Sequence, residues 1–241
     1  MALSNISVII PTKNRHGFLR QAVESLLAQS LLPSEIIVSD DGEGAAQAVD
    51  GLWPELRVLD NRARGPVAAR ILGVSAARGA LIAFLDDDDW LLDQDYFRDT
   101  TAAIVGGAGL VFCDGTMKFE DGRDDEAFAF DADAKSLEAN NTILISGVVY
   151  RKAIHDNLGS FDTTLPYYWD WDWYLRVARA GYRLQRRAGP AVAIRVHAQN
   201  MSGGEQEAQR RENLDRFSAK HGLPHIPLKN HLSLRRESQQ G

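Results

Sequence analysis

Residues 86–89 are four aspartates in a row, in the stretch AFLDDDDW that closes on Trp90. Like charges this close repel, and beside a buried strand they repel more strongly than in open water. The run needs a positive partner. A hard divalent cation, Mg²⁺ or Mn²⁺, held by one or two carboxylates and by the phosphates of a ligand would meet that need. A solvated loop whose charges keep the surface soluble is the plainer alternative. The apolar run ALIAFL (80–85) directly before the acids favours a site. Two other acidic points share this setting: EIIVS (35–39) runs into Asp40 and Asp41, and LRVL (56–59) into Asp60 and Asn61. Further on, WDWDWYLRVARAGYRLQ (169–185) carries Asp170 and Asp172 on a helical stretch. Two residues apart on a helix, they point to nearly opposite sides. Asp172 has Arg176 four residues on, a stabilising surface pair. Asp170 has no such partner and is left to cap the helix or to accept a proton from a substrate.

These residues need a frame, and the first half of the chain supplies one by alternation. ISVIIP (6–11), EIIVS (35–39), LRVLD (56–60) and ALIAFL (80–85) have the composition of strands. GFLRQAVESLLAQS (17–30), PVAARILGVSAARG (66–79, with Gly79 as its stop) and DQDYFRDTTAAIVGG (93–107) have helical spacing. Strand and helix in turn predict an α/β domain with a mostly parallel sheet flanked by helices. Ligands of such sheets bind at the carboxyl ends of the strands, so the acids would gather on one rim. Lys13, Arg62, Arg64 and Arg70 would lie near it. Neither G-x-x-x-x-G-K-[ST] nor G-x-G-x-x-G follows the first strand, so phosphate would be held by metal and basic side chains.

The second half is less regular. LVFCDGTMKFEDG (110–122) reads as strand and turn, and the acidic, aperiodic stretch 120–141 as a long loop. TILISGVVYRKAI (142–154) reads as a strand running into a helix, AVAIRVH (191–197) as a last strand, and QEAQRRENLDRFSAKHG (206–222) as a helix. A basic tail, LKNHLSLRRESQQG, follows. It could touch an anionic membrane surface or simply be solvated.

The 241 residues allow one large domain or two small ones. Hydrophobic residues at 44% and charged residues at 25% fit a soluble globular protein. A net charge of -6 argues against nucleic acid as a general partner. The single cysteine, Cys113, excludes an internal disulfide and a cysteine-based zinc site and fits a reducing compartment. MALSNISVIIPTKNR has no signal-peptide pattern, and no apolar run approaches the ~20 residues that span a bilayer, so the expected location is the cytoplasm.

Taken in order, SVIIPTKNR, PSEIIVSDDG, GPVAARILGVSAARGALIAFLDDDDW, LGSFDTTLPYYWDWDWYLRVARAGYRL and IRVHAQNMS resemble the family 2 glycosyltransferases of GT-A fold, over about residues 6 to 202. The resemblance implies transfer of a sugar from a nucleotide diphosphate sugar, UDP- or dTDP-linked, to an acceptor hydroxyl, with inversion at the anomeric carbon. It implies a Rossmann-like GT-A domain over 1–200, with a nucleotide-binding half (1–110), an acceptor-binding half (111–200) and a C-terminal extension (201–241). Pro11, Thr12, Lys13 and Asn14 match the loop that touches base and ribose. Asp41 matches the acid that accepts a base N–H, and Arg70 a basic residue near base and phosphate. Asp86 to Asp88 match the Asp-x-Asp motif, with Asp88 and Asp86 toward Mn²⁺ or Mg²⁺ and Asp86 and Asp87 toward the nucleotide sugar. Asp170 matches the general base. His197 falls where some members place a further metal or phosphate contact; a structural strand histidine is the alternative. Tyr168 and Trp169 would stack an acceptor sugar, carbohydrate or lipid-linked. Trp169 stands where the family often has Glu, Ile71 departs from an Ala-Arg-Asn motif, and the acidic run leaves open which two acids bind metal. A nucleotidyltransferase or sugar pyrophosphorylase is the rival enzyme, but PTKNRHGF lacks the glycine-rich loop it would need. A non-catalytic sugar-binding module is the other rival.

Overall fold

ISVIIPT offers no polar face to water, and in the computed structural model, which describes residues 4–197, 207–229 and 233–234, it forms a fully buried strand, β1 (Ile6–Thr12). Then come α1 (His16–Leu27), β2 (Glu35–Asp40), α2 (Ala45–Ala48), β3 (Leu56–Asp60), α3 (Pro66–Ala76) and β4 (Leu81–Phe84). The second half contributes β5 (Trp90–Leu91), α4 (Tyr96–Val105), β6 (Leu110–Phe119), β7 (Glu126–Phe128), β8 (Val149–Arg151), α5 (Ile154–Leu158), α6 (Trp169–Arg179), β9 (Leu184–Val196) and α7 (Glu207–His221). One sheet runs β3-β2-β1-β4-β8-β6-β9-β5, with β7 on β6. β3, β2, β1 and β4 are parallel, as are β6 and β9, so most of the ladder is parallel. β8 enters antiparallel between β4 and β6 and joins the halves.

Each face of the sheet carries a core. On one, Leu19, Val23 and Leu26 of α1 pack with Tyr96 and Phe97 of α4. On the other, α3 approaches β1 so closely that a Cβ on Gly73 would meet Ile9 Cγ2 at 2.4 Å. This second core is aromatic: Phe84, Tyr150, Phe161, Trp169 and Trp173 lie together, and Phe217 of α7 stacks on Trp171 at 4.5 Å. Cys113 of β6 is buried beside Gly147, whose carbonyl accepts the Tyr96 hydroxyl bond. Burial pushes the Cys113 thiol up to about 12.

Four details depart from the sequence reading. α3 stops at Ala76, and Gly79 is no cap: it lies where a Cβ would meet Asn5 O and Ser7 N at 2.8 Å. Residues 142–147 are not strand; β8 starts only at Val149. The 120–141 stretch contains β7 and a 3-10 turn at Ser136–Glu138. β9 starts at Leu184, well before Ala191, and bulges where Asp114 takes bonds from Arg186 and from the Gly189 N–H. No helix among the described residues is long and apolar enough to cross a membrane.

Candidate active site

Beyond β4 the chain turns sharply through Asp86–Asp89, and Ser146 holds the turn. The Asp86 N–H donates to Ser146 Oγ at 3.0 Å, and the same hydroxyl donates to Asp89. Asp89 Oδ1 accepts the Arg195 N–H at 3.0 Å. Thr12 Oγ1 donates to Asp87 Oδ2 at 2.6 Å. The positive charge that the acidic run calls for is present in the chain itself. Arg15 Nη1 reaches Asp87 Oδ1 at 3.3 Å and Asp88 Oδ2 at 2.6 Å, and Arg70 pairs with Asp86. His197 Nε2 is 3.0 Å from Asp88 Oδ2. Burial raises the carboxyls of Asp86 and Asp89, and the neighbouring Asp88 charge pushes the same way. Burial also lifts Asp87 to about 6, against the Thr12 bond. Carboxylate oxygens of Asp86, Asp88 and Asp89 lie within 4.8 Å of one another. Three hard oxygen donors so close suit Mg²⁺ or Mn²⁺.

The acids line a cleft of about 630 Å³. Pro11, Thr12, Lys13, Asp41 and Arg70 belong to the same wall. Asp41 Oδ1 is taken by Asn61 Nδ2 at 2.5 Å and the Gly65 N–H at 3.0 Å, while Oδ2 turns to Lys13 at 3.7 Å. Asn14 is not in this wall. Its backbone is left-handed, φ 57°, and its Oδ1 accepts the Glu43 N–H at 3.0 Å. Nor do Asp40 and Asp60 join the rim. Asp40 caps the Gly42 and Ala45 N–H groups, and exposed Asp60 accepts the Arg62 N–H. Arg64 turns back to Asn61 O at 2.9 Å.

The start of α6 lines the same cleft. Trp169 lies under the Arg70 guanidinium, 4.8 Å from ring centre to carbon, and so joins α6 to α3. Tyr168 is buried beside Arg210; burial raises its phenol and Arg210 counters. Asp170 faces the cleft, and its Oδ2 accepts Asn141 Nδ2 at 3.0 Å. Burial raises its carboxyl, with the Asn141 bond acting against that. Asp172 points away, as helical spacing requires, but it forms no surface pair. It is fully buried and accepts from Arg176 Nε (2.8 Å), Lys220 Nζ (2.6 Å) and His221 Nε2 (2.8 Å). Burial alone would raise it, yet these donors hold it below the usual carboxylate range.

Sequence reasoning missed Arg15, Asn141, Ser146, Arg195, Arg210 and Lys229, all in the cleft wall. Arg15 had a signal, since it closes the TKNR that follows β1. Arg195 had one too, within IRVHAQNMS, while the rest sit in irregular or late segments with no motif around them.

The sequence pattern of the family described as Glycosyl transferase family 2 matches residues 7–158. The chain is 35% identical over 248 residues to the glycosyltransferase YwdF of Bacillus subtilis, covering 97% of this chain and 90% of that one. EpsJ of the same organism is longer: it is 32% identical over 113 residues, and the match covers 45% of this chain and 33% of EpsJ. Among solved structures, Staphylococcus aureus TarS 1–349 in complex with UDP-GlcNAc superposes with a TM-score of 0.69 at 18% identity, covering 95% of this chain and 68% of that one. The mannosyltransferase PcManGT of Pyrobaculum calidifontis, in complex with GDP-Man and Mn²⁺, superposes at 0.67 and 17% identity, covering 92% and 66%. The fold is therefore GT-A, and the chain belongs to glycosyl transferase family 2.

Proposed function

We propose that the chain is a metal-dependent, inverting hexosyltransferase. It would move a sugar from a UDP- or dTDP-linked donor to a hydroxyl of a carbohydrate or lipid-linked acceptor, in glycan, glycolipid or polysaccharide synthesis. The carrying observation is that the triad Asp86, Asp88 and Asp89 and the acid Asp170 of α6 line one cleft. The nucleotide sugars in TarS and PcManGT, and the Mn²⁺ in the latter, support the reading.

A divalent cation held by the triad supplies Lewis acidity for a departing diphosphate. The chain's own groups do the rest. Asp41 Oδ2 accepts a base N–H, beside Pro11, Thr12 and Lys13. Arg15 and Arg70, paired with acids in this structure, have the charge and place to turn to phosphate oxygens. His197 adds a contact at Asp88. Tyr168 and Trp169 wall the acceptor sugar. Asp170 takes the acceptor hydroxyl's proton while that oxygen bonds to the anomeric carbon, and the bond to the diphosphate oxygen breaks on the far side. One displacement inverts the centre. On this reading residues 1–110 hold the donor, 111–200 the acceptor, and 201–241 form an extension. The enzyme works in the cytoplasm, with its basic tail, largely outside the described residues, at the inner membrane face.

The test is nucleoside diphosphate release from a panel of nucleotide sugars in Mn²⁺ and in EDTA, with the product anomer read by NMR. Metal-dependent release with an inverted product is expected. Formation of a nucleoside triphosphate and a sugar 1-phosphate when pyrophosphate is added to the nucleotide sugar would mean a nucleotidyltransferase, and binding without turnover a sugar-binding module.

A further inference from the structure

Three bonds fasten the loop between β7 and β8 to α6. Trp171 Nε1 donates to Leu137 O at 2.6 Å, Arg179 pairs with Glu138 at 2.7 Å, and Asn141 Nδ2 donates to Asp170 Oδ2 at 3.0 Å. On the loop's other side Lys229 Nζ donates to Asn140 Oδ1 at 3.1 Å. The loop is therefore anchored both to α6 and to the segment after α7, and Asn141 is its contact with the acid in the cleft. The far end of that amide is informative. Asn141 Oδ1 is closed off from solvent and has no hydrogen-bond partner. Buried carbonyl oxygens are rarely left bare, and one that is bare needs a reason. Here the amide contributes only through its N–H group, and that group goes to Asp170.

We propose that Asn141 is a positioning residue for Asp170: it fixes the rotation of the carboxylate by occupying Oδ2, presents a defined edge to the acceptor hydroxyl, and favours the ionised form. The inference rests on the reading of Asp170 as the general base. A donor aimed at a carboxylate stabilises the charge a base must carry before it can take a proton. Charge in the surroundings of Asp170 comes from Arg70 of α3, which also favours ionisation. Tyr168, just before its helix, and Tyr174, on it, are phenols raised by burial and stay neutral. Arg210 of α7 stands beyond Tyr168. Among these groups Asn141 acts most strongly against burial.

The experiment compares Asn141→Ala, the isosteric Asn141→Asp and Asp170→Asn with the wild type. It records kcat, donor KM, the pH profile of kcat at saturating donor, and melting temperature. Both Asn141 variants should lose roughly tenfold or more in kcat through misplacement of the base while donor KM stays within about twofold. The acid limb of the profile should move to higher pH, further in Asn141→Asp, where a second carboxylate faces the first, than in Asn141→Ala. Asp170→Asn should lose ~10²–10⁴-fold in kcat. A purely structural role would lower the melting temperature and leave the acid limb in place, and that result overturns the proposal. If Asn141→Ala fails to fold, the isosteric Asp variant carries the same test. An active Asp170→Asn overturns the base assignment and this inference together. An impaired Asp170→Asn with unmoved limbs in both Asn141 variants overturns the positioning role alone.

Discussion

Asp172→Asn removes a charge that Arg176, Lys220 and His221 all address from two helices. Breaking a fully buried pair costs about 3–5 kcal/mol. Lys220 is 35% exposed and Arg176 19%, so the expected loss is smaller, on the order of 2–3 kcal/mol. The folded carboxyl sits below its unfolded value, so its contribution is present above the unfolded pKa and fades as pH falls through the folded one. In urea unfolding, wild type and variant should differ steadily from pH 5 to 7 and converge below about pH 4. Asp170→Asn should keep the fold and donor binding yet lose ~10²–10⁴-fold in transfer rate, as read by a transfer assay beside calorimetric donor titration. Asp87 has the opposite sign: burial lifts it to about 6, so in the metal-free protein its charge opposes folding above that pH. Asp87→Asn in EDTA should therefore gain on the order of 1–3 kcal/mol at pH 7.5, the gain vanishing toward pH 4, where the wild-type carboxyl is protonated. Unchanged unfolding midpoints would refute this. Asp170 and Asp172 were legible as opposites from helical spacing, whereas the partners of Asp172 in α7 were not, because no local pattern announces a contact so far along the chain.

Gly73 sets how closely α3 lies on β1, and α3 carries Arg70 into the cleft. Gly73→Ala would drive a methyl group into Ile9, and the helix must move outward. Overpacking of this kind costs typically ~1–3 kcal/mol. Arg70 would move with the helix, so donor affinity should weaken along with the melting temperature. A variant that melts lower but binds donor as tightly as the wild type would show that Arg70 is not placed by this contact. Elements with a strong period were readable: β1 to β4 and α1 came from apolar runs and turn residues. TILIS was misread because an apolar, β-branched run usually becomes strand. Here it is spent on a buried loop, where Ile143 and Leu144 fill the core and Ser146 ties the acidic turn. The early start of β9 was hidden by its arginines, one of which is neutralised by Asp114 across the ladder.

At the scale of the molecule, α7 is a wall of the second core, with Leu214 and Phe217 buried and Asp172 bound from its last turn. Its polar sequence suggested an appendage, because few of its residues are apolar, and of these Leu214 and Phe217 enter the second core. Phe217→Ala should cost about 3–5 kcal/mol in chemical unfolding. A chain cut at residue 200 should be insoluble or molten, with Trp171 and the Asp172 charge both uncovered. A cooperative thermal transition in that truncated protein would show that α7 is dispensable. The parallel half of the sheet followed from alternation of strand and helix. The antiparallel insertion of β8 did not, since pairing order over such separations has no local signature.

The chain has one thiol, and it lies between the sheet and α4, against Gly147 and Tyr96. Held near 12, it is unreactive while the sheet is closed, because the thiolate is the attacking species. A thiol-specific reagent must therefore wait for the sheet to open at β6. Labelling of Cys113 under native conditions is thus a built-in clock for that opening. Nucleotide and metal should slow the clock in proportion to how tightly they bind, which gives a ligand screen that needs neither a known acceptor nor catalytic turnover.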